Sequence, residues 1–182
     1  LSKVELYMGN YDVAATWAFE VINNAEGYAL EAEYGAVFSN SFNSSEVIFA
    51  PFSGAVPEGG SNMGFINRTT FSENLRSIAD AQVGTSDDGD LAGAGENYDP
   101  RFSFAYSDAT EGVNLQGKYP FGDTANSRGN TLYHLRLAEI YLVHAEAEAR
   151  RPGGVLSDAL ASLNVLRDRA AVTPKALSDA NT

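Results

Sequence analysis

The stretch Tyr133–Ala171, YHLRLAEIYLVHAEAEARRPGGVLSDALASLNVLRDRAA, decides the fold. Ala138, Tyr141, Leu142, Ala145 and Ala149 fall at helical spacing, which predicts a helix over 133–151 with these residues on one face. Pro152-Gly153-Gly154 must end it. Leu156, Ala159, Leu160, Leu163, Leu166 and Ala170 then predict a returning helix. Helix, glycine turn and helix make a hairpin. In it, Gly154 turns the chain, Ala159 lets the two helices approach, and Leu163 fills the groove between them.

The same pattern stands at the other end of the chain, in Leu1–Asn24, LSKVELYMGNYDVAATWAFEVINN. Here Gly9 is followed at the same spacings by Ala14 and Ala18. Val13, Ala14, Trp17, Ala18, Val21 and Ile22 predict one apolar stripe, with Trp17 read as packing, and Asp12 is placed to cap the helix. Two such hairpins are the signature of tetratricopeptide-like repeats. Each is apolar on faces its own partner cannot cover, so the two are expected to pack side by side.

Composition narrows the function. With 182 residues the chain can bury one good core, and its 44% hydrophobic content argues against general disorder. No apolar run approaches the roughly 18–20 residues of a membrane span. The net charge of −12 makes nucleic acid an unsuitable partner, because phosphate binding wants a basic face. With no cysteine, disulfides, thiolate metal sites and a cysteine nucleophile are all excluded.

Between the hairpins the character changes. Ser45-Glu46-Val47-Ile48-Phe49 is the best strand candidate, expected to be apolar and buried, and Pro51 stops it. Residues 53–64, 84–97 and 122–130 read as loops by their glycine, serine and aspartate content, with short strands at 101–107 and 116–121. The predicted fold is therefore mostly α, with α+β loops: helical hairpins packed together and a loop-rich insertion carrying short strands. One domain covers 1–182, divided into a hairpin at 1–27, the insertion at 28–132, a hairpin at 133–171 and a tail at 172–182.

Catalytic chemistry finds little support. Glu139, Glu146 and Glu148 are the obvious carboxylates for glycoside hydrolysis. Arg136 stands one turn from Glu139 and Arg150 one turn from Glu146, so the plain reading is an ion-paired, solvated face. No Gly-x-Ser-x-Gly elbow or phosphate-cradling glycine loop is present, and two histidines are a poor supply of bases. His144 and Glu148 have a permissible two-ligand metal spacing, yet no third ligand is evident and His144 reads as a packed or rim residue. The Asp87-Asp88-Gly89-Asp90 run lacks the spacing of an EF-hand and reads as a solvated loop. No catalytic residue, metal ligand or cofactor is therefore assigned.

Aromatic residues are plentiful: ten Phe, nine Tyr and one Trp. Sugar rings present apolar C–H faces that stack on such side chains, while amides hold the hydroxyls. After the 45–49 strand, Gly54, Gly59, Gly60 and Gly64 leave room for a loop to approach a ligand. Phe52 and Phe65 offer stacking faces there, and Asn62 and Asn67 offer hydrogen bonds. These four are the candidate ligand-binding residues, against the plain alternative that both phenylalanines only anchor the loop.

Five stretches, in order, resemble the SusD/RagB family of surface glycan-binding outer-membrane lipoproteins. They are Tyr7–Asn24; Tyr28-Ala29-Leu30 with Tyr34, Phe38 and Ser45–Phe49; Asp99-Pro100-Arg101-Phe102; Lys118-Tyr119 with Arg136–Leu142 and Ala145-Glu146-Ala147; and Leu163-Asn164 with Arg167, Arg169 and Ala170. Asp99-Pro100-Arg101 reads as an architectural signature. The family's lipid-bearing cysteine, its long segment before the repeats and its C-terminal acidic/aromatic motif are absent from this sequence, so the resemblance is to a middle fragment.

The resemblance implies a non-catalytic protein that captures an oligosaccharide or other small nutrient at the outer-membrane surface. It implies delivery to a SusC-like TonB-dependent transporter, and membrane attachment through a lipid anchor outside this fragment. The alternative from another class is a tetratricopeptide-like scaffold that binds only protein. The insertion separates the two, since a pure solenoid has no use for it while a ligand binder builds its site from such loops.

Overall fold

The computed structural model describes residues 1–24, 27–50, 101 and 133–178. Its elements there are α1 (Ser2–Met8), α2 (Tyr11–Asn23), α3 (Ala36–Asn40), a 3-10 turn (Ser41–Asn43), β1 (Val47–Phe49), β2 (Leu135–Arg136), α4 (Leu137–Arg150) and α5 (Leu156–Arg169). The described part is mostly helical, with one small two-stranded sheet, as the hairpin pattern predicts.

The first hairpin turns on Gly9, at φ +80. Its N–H donates to the Leu6 carbonyl and that of Asn10 to the Glu5 carbonyl, the paired closure that follows a left-handed residue at a helix end. Asn10, not Asp12, occupies the N-cap of α2. In the second hairpin Gly153, at φ +72, takes the left-handed position that the sequence assigned to Gly154. Gly154 has a different role: a Cβ there would collide with the Glu148 carbonyl oxygen. Two adjacent glycines thus meet two separate demands, a backbone conformation and a clearance.

The two hairpins pack side by side through α2 and α4. Ala14, Ala15 and Ala18 of α2 are buried, and their small side chains let α4 come close. Ala14 and Ala15 meet Ala147, while Ala18 joins Leu137, Ile140 and Val143, with Val21 and Ile22 packed against that cluster. α5 also packs against α4 and buries Ala159, Ser162 and Leu166. The chain after α5 folds back on it: Asn164 exchanges two hydrogen bonds with the Lys175 backbone, and Arg167 donates to the Thr173 carbonyl.

Several faces differ from the sequence reading. Trp17 is 47% exposed and Val13 41%, so neither is a core residue. In α4 the buried residues are Leu137, Ala138, Ile140, Val143, His144, Ala147 and Glu148, so of the expected face Ala138 is buried while Leu142 and Ala149 point outward. Alternating Ala and Glu at 145–149 leave the helical phase undecided by hydropathy alone. Packing against both α2 and α5 fixes it.

β1 also departs from expectation. Val47 and Ile48 are half-buried and Phe49 is exposed, while the wholly buried residue is the acid before them, Glu46. β1 runs antiparallel to β2, pairing Val47 with Arg136 and Phe49 with Leu135. The Leu137 N–H donates to the Glu46 carbonyl and that of His134 to the Phe49 carbonyl. This small sheet ties the segment after the first hairpin to the start of α4.

Candidate functional site

Two polar arrangements stand out, one structural and one open to solvent. The structural one centres on Glu46. Arg169, from the last turn of α5, donates to its Oε1, and Arg136 of β2 lies 3.8 Å from Oε2. The Glu31 backbone N–H also donates to Oε1 at 3.1 Å. Each guanidinium is backed by aromatic rings: Arg169 stands over Tyr34 at 5.7 Å, and Arg136 over Phe38 and Tyr133 at 5.8 and 5.7 Å. The Tyr133 hydroxyl donates to the Val37 carbonyl at 2.8 Å. Burial lowers the Arg169 pKa from its ordinary value, opposed by nearby Tyr34 and Glu31. Even so, a guanidinium starting from so high a pKa keeps its charge. A buried carboxylate between two cations is a joint: it clamps residues 28–49 onto the helical layer.

Beside it, Glu31 fixes the approach to the strand. Its carboxylate accepts from Asn40 and from the Ser45 backbone N–H. Hydrogen bonds from Asn40, Ser44 and Ser45 together outweigh the opposing effect of burial, and the carboxyl pKa falls below its usual value.

The second arrangement is a cleft of about 560 Å³ between α2, α4 and α5. His144 and Ser162 meet at its floor, with His144 Nδ1 2.8 Å from the Ser162 Oγ. His144 Nε2 is 3.8 Å from Glu148. The other Glu148 oxygen accepts from Arg151 Nε at 2.9 Å and from the Val155 N–H at 3.3 Å. Arg151 reaches on to Asp12 at 3.7 Å, so the end of α4 is pinned to α2. Burial depresses the His144 pKa, and the attraction of Glu148 and Asp158 only partly offsets it. The neutral form of the imidazole is thereby favoured.

Ser162, His144 and Glu148 invite comparison with a nucleophilic triad, and the geometry does not serve one. The acid stands 3.8 Å from the imidazole, beyond hydrogen-bond reach, and is held by Arg151 instead. Ser162 is inside α5, where helical backbone N–H groups are already bonded and offer no oxyanion hole. The triad is a hydrogen-bonded helix contact. Among the described residues no group of three or more His, Asp or Glu is arranged to hold a metal.

The glutamates singled out from sequence divide. Glu146 pairs with Arg150 at 3.0 Å on the solvent side, as its spacing predicts. Glu139 does not pair with Arg136; it takes Lys3 of α1 at 2.5 Å, and that bond raises the Lys3 pKa. Glu148 is buried. Phe52, Asn62, Phe65 and Asn67, together with the 84–97 loop, lie outside the described residues. What the structure does describe is their base: β1 ends at Phe49, whose ring stacks obliquely on His134 at 5.9 Å. No sequence pattern marks this cleft. The sequence hint is Phe19, an aromatic that lies off the apolar stripe of α2.

The architecture is that of SusD-type proteins. The SusD family model matches residues 103–182. No curated protein matches the sequence. Among solved structures, a SusD superfamily protein from Bacteroides thetaiotaomicron VPI-5482 is 26% identical with a TM-score of 0.61, over 93% of this chain and 39% of its own. The surface glycan-binding protein A from Bacteroides thetaiotaomicron, solved in complex with laminarihexaose, is 17% identical with a TM-score of 0.58, over 98% of this chain and 48% of its own. A laminarin binding SusD-like protein is 22% identical with a TM-score of 0.54, again over 98% and 48%. These last two likenesses concern the fold. The matched segment and the shared architecture make this a SusD-like chain, and it spans under half the length of these relatives.

Proposed function

We propose that the protein is a non-catalytic, surface-exposed glycan binder of the outer membrane, which passes captured oligosaccharide to a SusC-like TonB-dependent transporter. The observation that carries this reading is the shared fold: nearly all of this chain superposes on a structure that holds laminarihexaose. The division of labour within the chain supports it. The helical hairpins and the Glu46 joint form the scaffold from which the chain runs on after β1. Phe52 and Phe65 are the proposed stacking faces and Asn62 and Asn67 the proposed hydroxyl partners, following directly on a strand anchored to α4. Membrane attachment is assigned to a lipid anchor outside the sequence.

A protein-binding scaffold is the second reading. The exposed apolar side chains Val4, Tyr7, Met8, Val13 and Trp17 on α1 and α2 favour it. One experiment separates the readings. The full-length protein is titrated against a panel of neutral oligosaccharides, and each glycan is then recovered and sized. Saturable binding with every glycan returned intact supports the proposal. Shortened products would make the protein a hydrolase, and binding to none of the panel would leave the scaffold.

A further inference from the structure

We infer that the cleft between α2, α4 and α5 is a second sugar site, taking a single neutral pyranose ring and separate from the 51–67 loop. The inference rests on the glycan-binding reading above and adds a place that the loop argument does not reach. At about 560 Å³ the cleft lies within the range of roughly 300–1,000 Å³ common for small-molecule sites. One wall is Phe19, a phenylalanine 56% exposed to water on a helix face, where burial would be the ordinary fate of such a ring.

The chemistry around that ring suits a polyol. Asn23, one turn along α2, and Glu20 line the cleft from the Phe19 side, and Asp158 lines it from α5. Asn23 is held in place by its own bond to the Phe19 carbonyl at 2.8 Å. Amide and carboxylate groups flanking an aromatic face are what a sugar needs, since its hydroxyls both donate and accept while its C–H face stacks. The floor is already satisfied: His144 is bonded to Ser162, and Glu148 to Arg151 and Val155. It therefore makes no demand for a charged ligand. Glu20 and Asp158 disfavour anions such as phosphate, and Arg151 is already engaged by Glu148 and Asp12.

The chain's two histidines provide the test, because His144 lines the cleft and His134 stands at the β1–β2 pair. Imidazole resonances of the full-length protein are followed by NMR during titration with glucose, galactose, mannose and laminarihexaose. The expected result is a saturable shift of the His144 signals with at least one of these sugars, while those of His134 stay fixed. Phe19→Ala should weaken that shift at least about fivefold, the lower end of what aromatic stacking contributes. Phe19→Tyr should restore it. Sugar binding seen by calorimetry with His144 signals unmoved, or moved equally in Phe19→Ala, would overturn the cleft site and leave the loop reading intact. No binding of any sugar by any readout would remove both.

Discussion

Arg169 of α5 reaches the carboxylate of Glu46, a side chain with no exposure to solvent, across most of the length of the chain. With Arg136 on its other oxygen, Glu46 joins the strand segment, the start of α4 and the end of α5. Removing one partner of such a cluster leaves uncompensated charge in the interior. Glu46→Gln should cost about 3–5 kcal/mol in urea unfolding. Combining it with Arg169→Met should recover part of that loss. A loss below about 1 kcal/mol for Glu46→Gln would show that the charges are solvated and the joint is not structural.

The paired glycines make a graded prediction. Gly153→Ala places a Cβ in the left-handed region and should cost about 1–2 kcal/mol. Gly154→Ala should cost more, because the Glu148 carbonyl must move to admit the methyl group. Thermal unfolding of the two variants gives the order directly. Equal midpoints would contradict the division of roles.

His144 predicts a pH dependence. Burial holds its folded-state pKa below the ordinary value of 6.5, so on acidification the unfolded chain takes up the proton first. Stability tied to the neutral imidazole is complete above 6.5 and is lost as pH falls through that value toward the folded pKa. The groups around the ring are Ser162, Glu148, Asp158 and Arg151, with Phe19 against its face. Other carboxylates titrate nearby, so the measurement is a difference: unfolding free energy from pH 7.5 to 5 for wild type against His144→Gln. Wild type should lose more over this interval. Parallel curves would place His144 in solvent.

The exposed helix glutamates should be dispensable. Glu146 lies at the surface with Arg150, and Glu139→Gln removes a half-exposed pair with Lys3. Glu146→Gln should leave the unfolding midpoint where it is, and Glu139→Gln should cost under about 1 kcal/mol. Neither should alter ligand binding. Loss of affinity in either variant with folding intact would bring the 133–151 helix into the site.

The hairpins were legible in the sequence because their signals are local. A glycine-containing break between two runs of apolar residues at helical spacing marks each hairpin, although the turn in the second falls on Gly153 rather than Gly154. The burial of Glu46 was not legible. Its carboxylate is tolerated inside only because arginines from distant segments meet it, and no local pattern encodes such a meeting. β1, three residues long, is too short for alternation to indicate its buried side. Trp17 misled for a related reason, since helical spacing gives a stripe without saying which neighbours cover it. The proposed loop residues rest on composition and on their position after β1.

The central claim, that the insertion binds glycan on this scaffold, is tested most directly by calorimetric titration of the full-length protein and of its Asn62→Ala/Phe65→Ala variant with the oligosaccharide that binds best. The account predicts saturable binding by the wild type, weakened at least about fivefold in the variant, with unchanged circular dichroism. Equal affinity in two equally folded proteins would contradict it and place the site elsewhere.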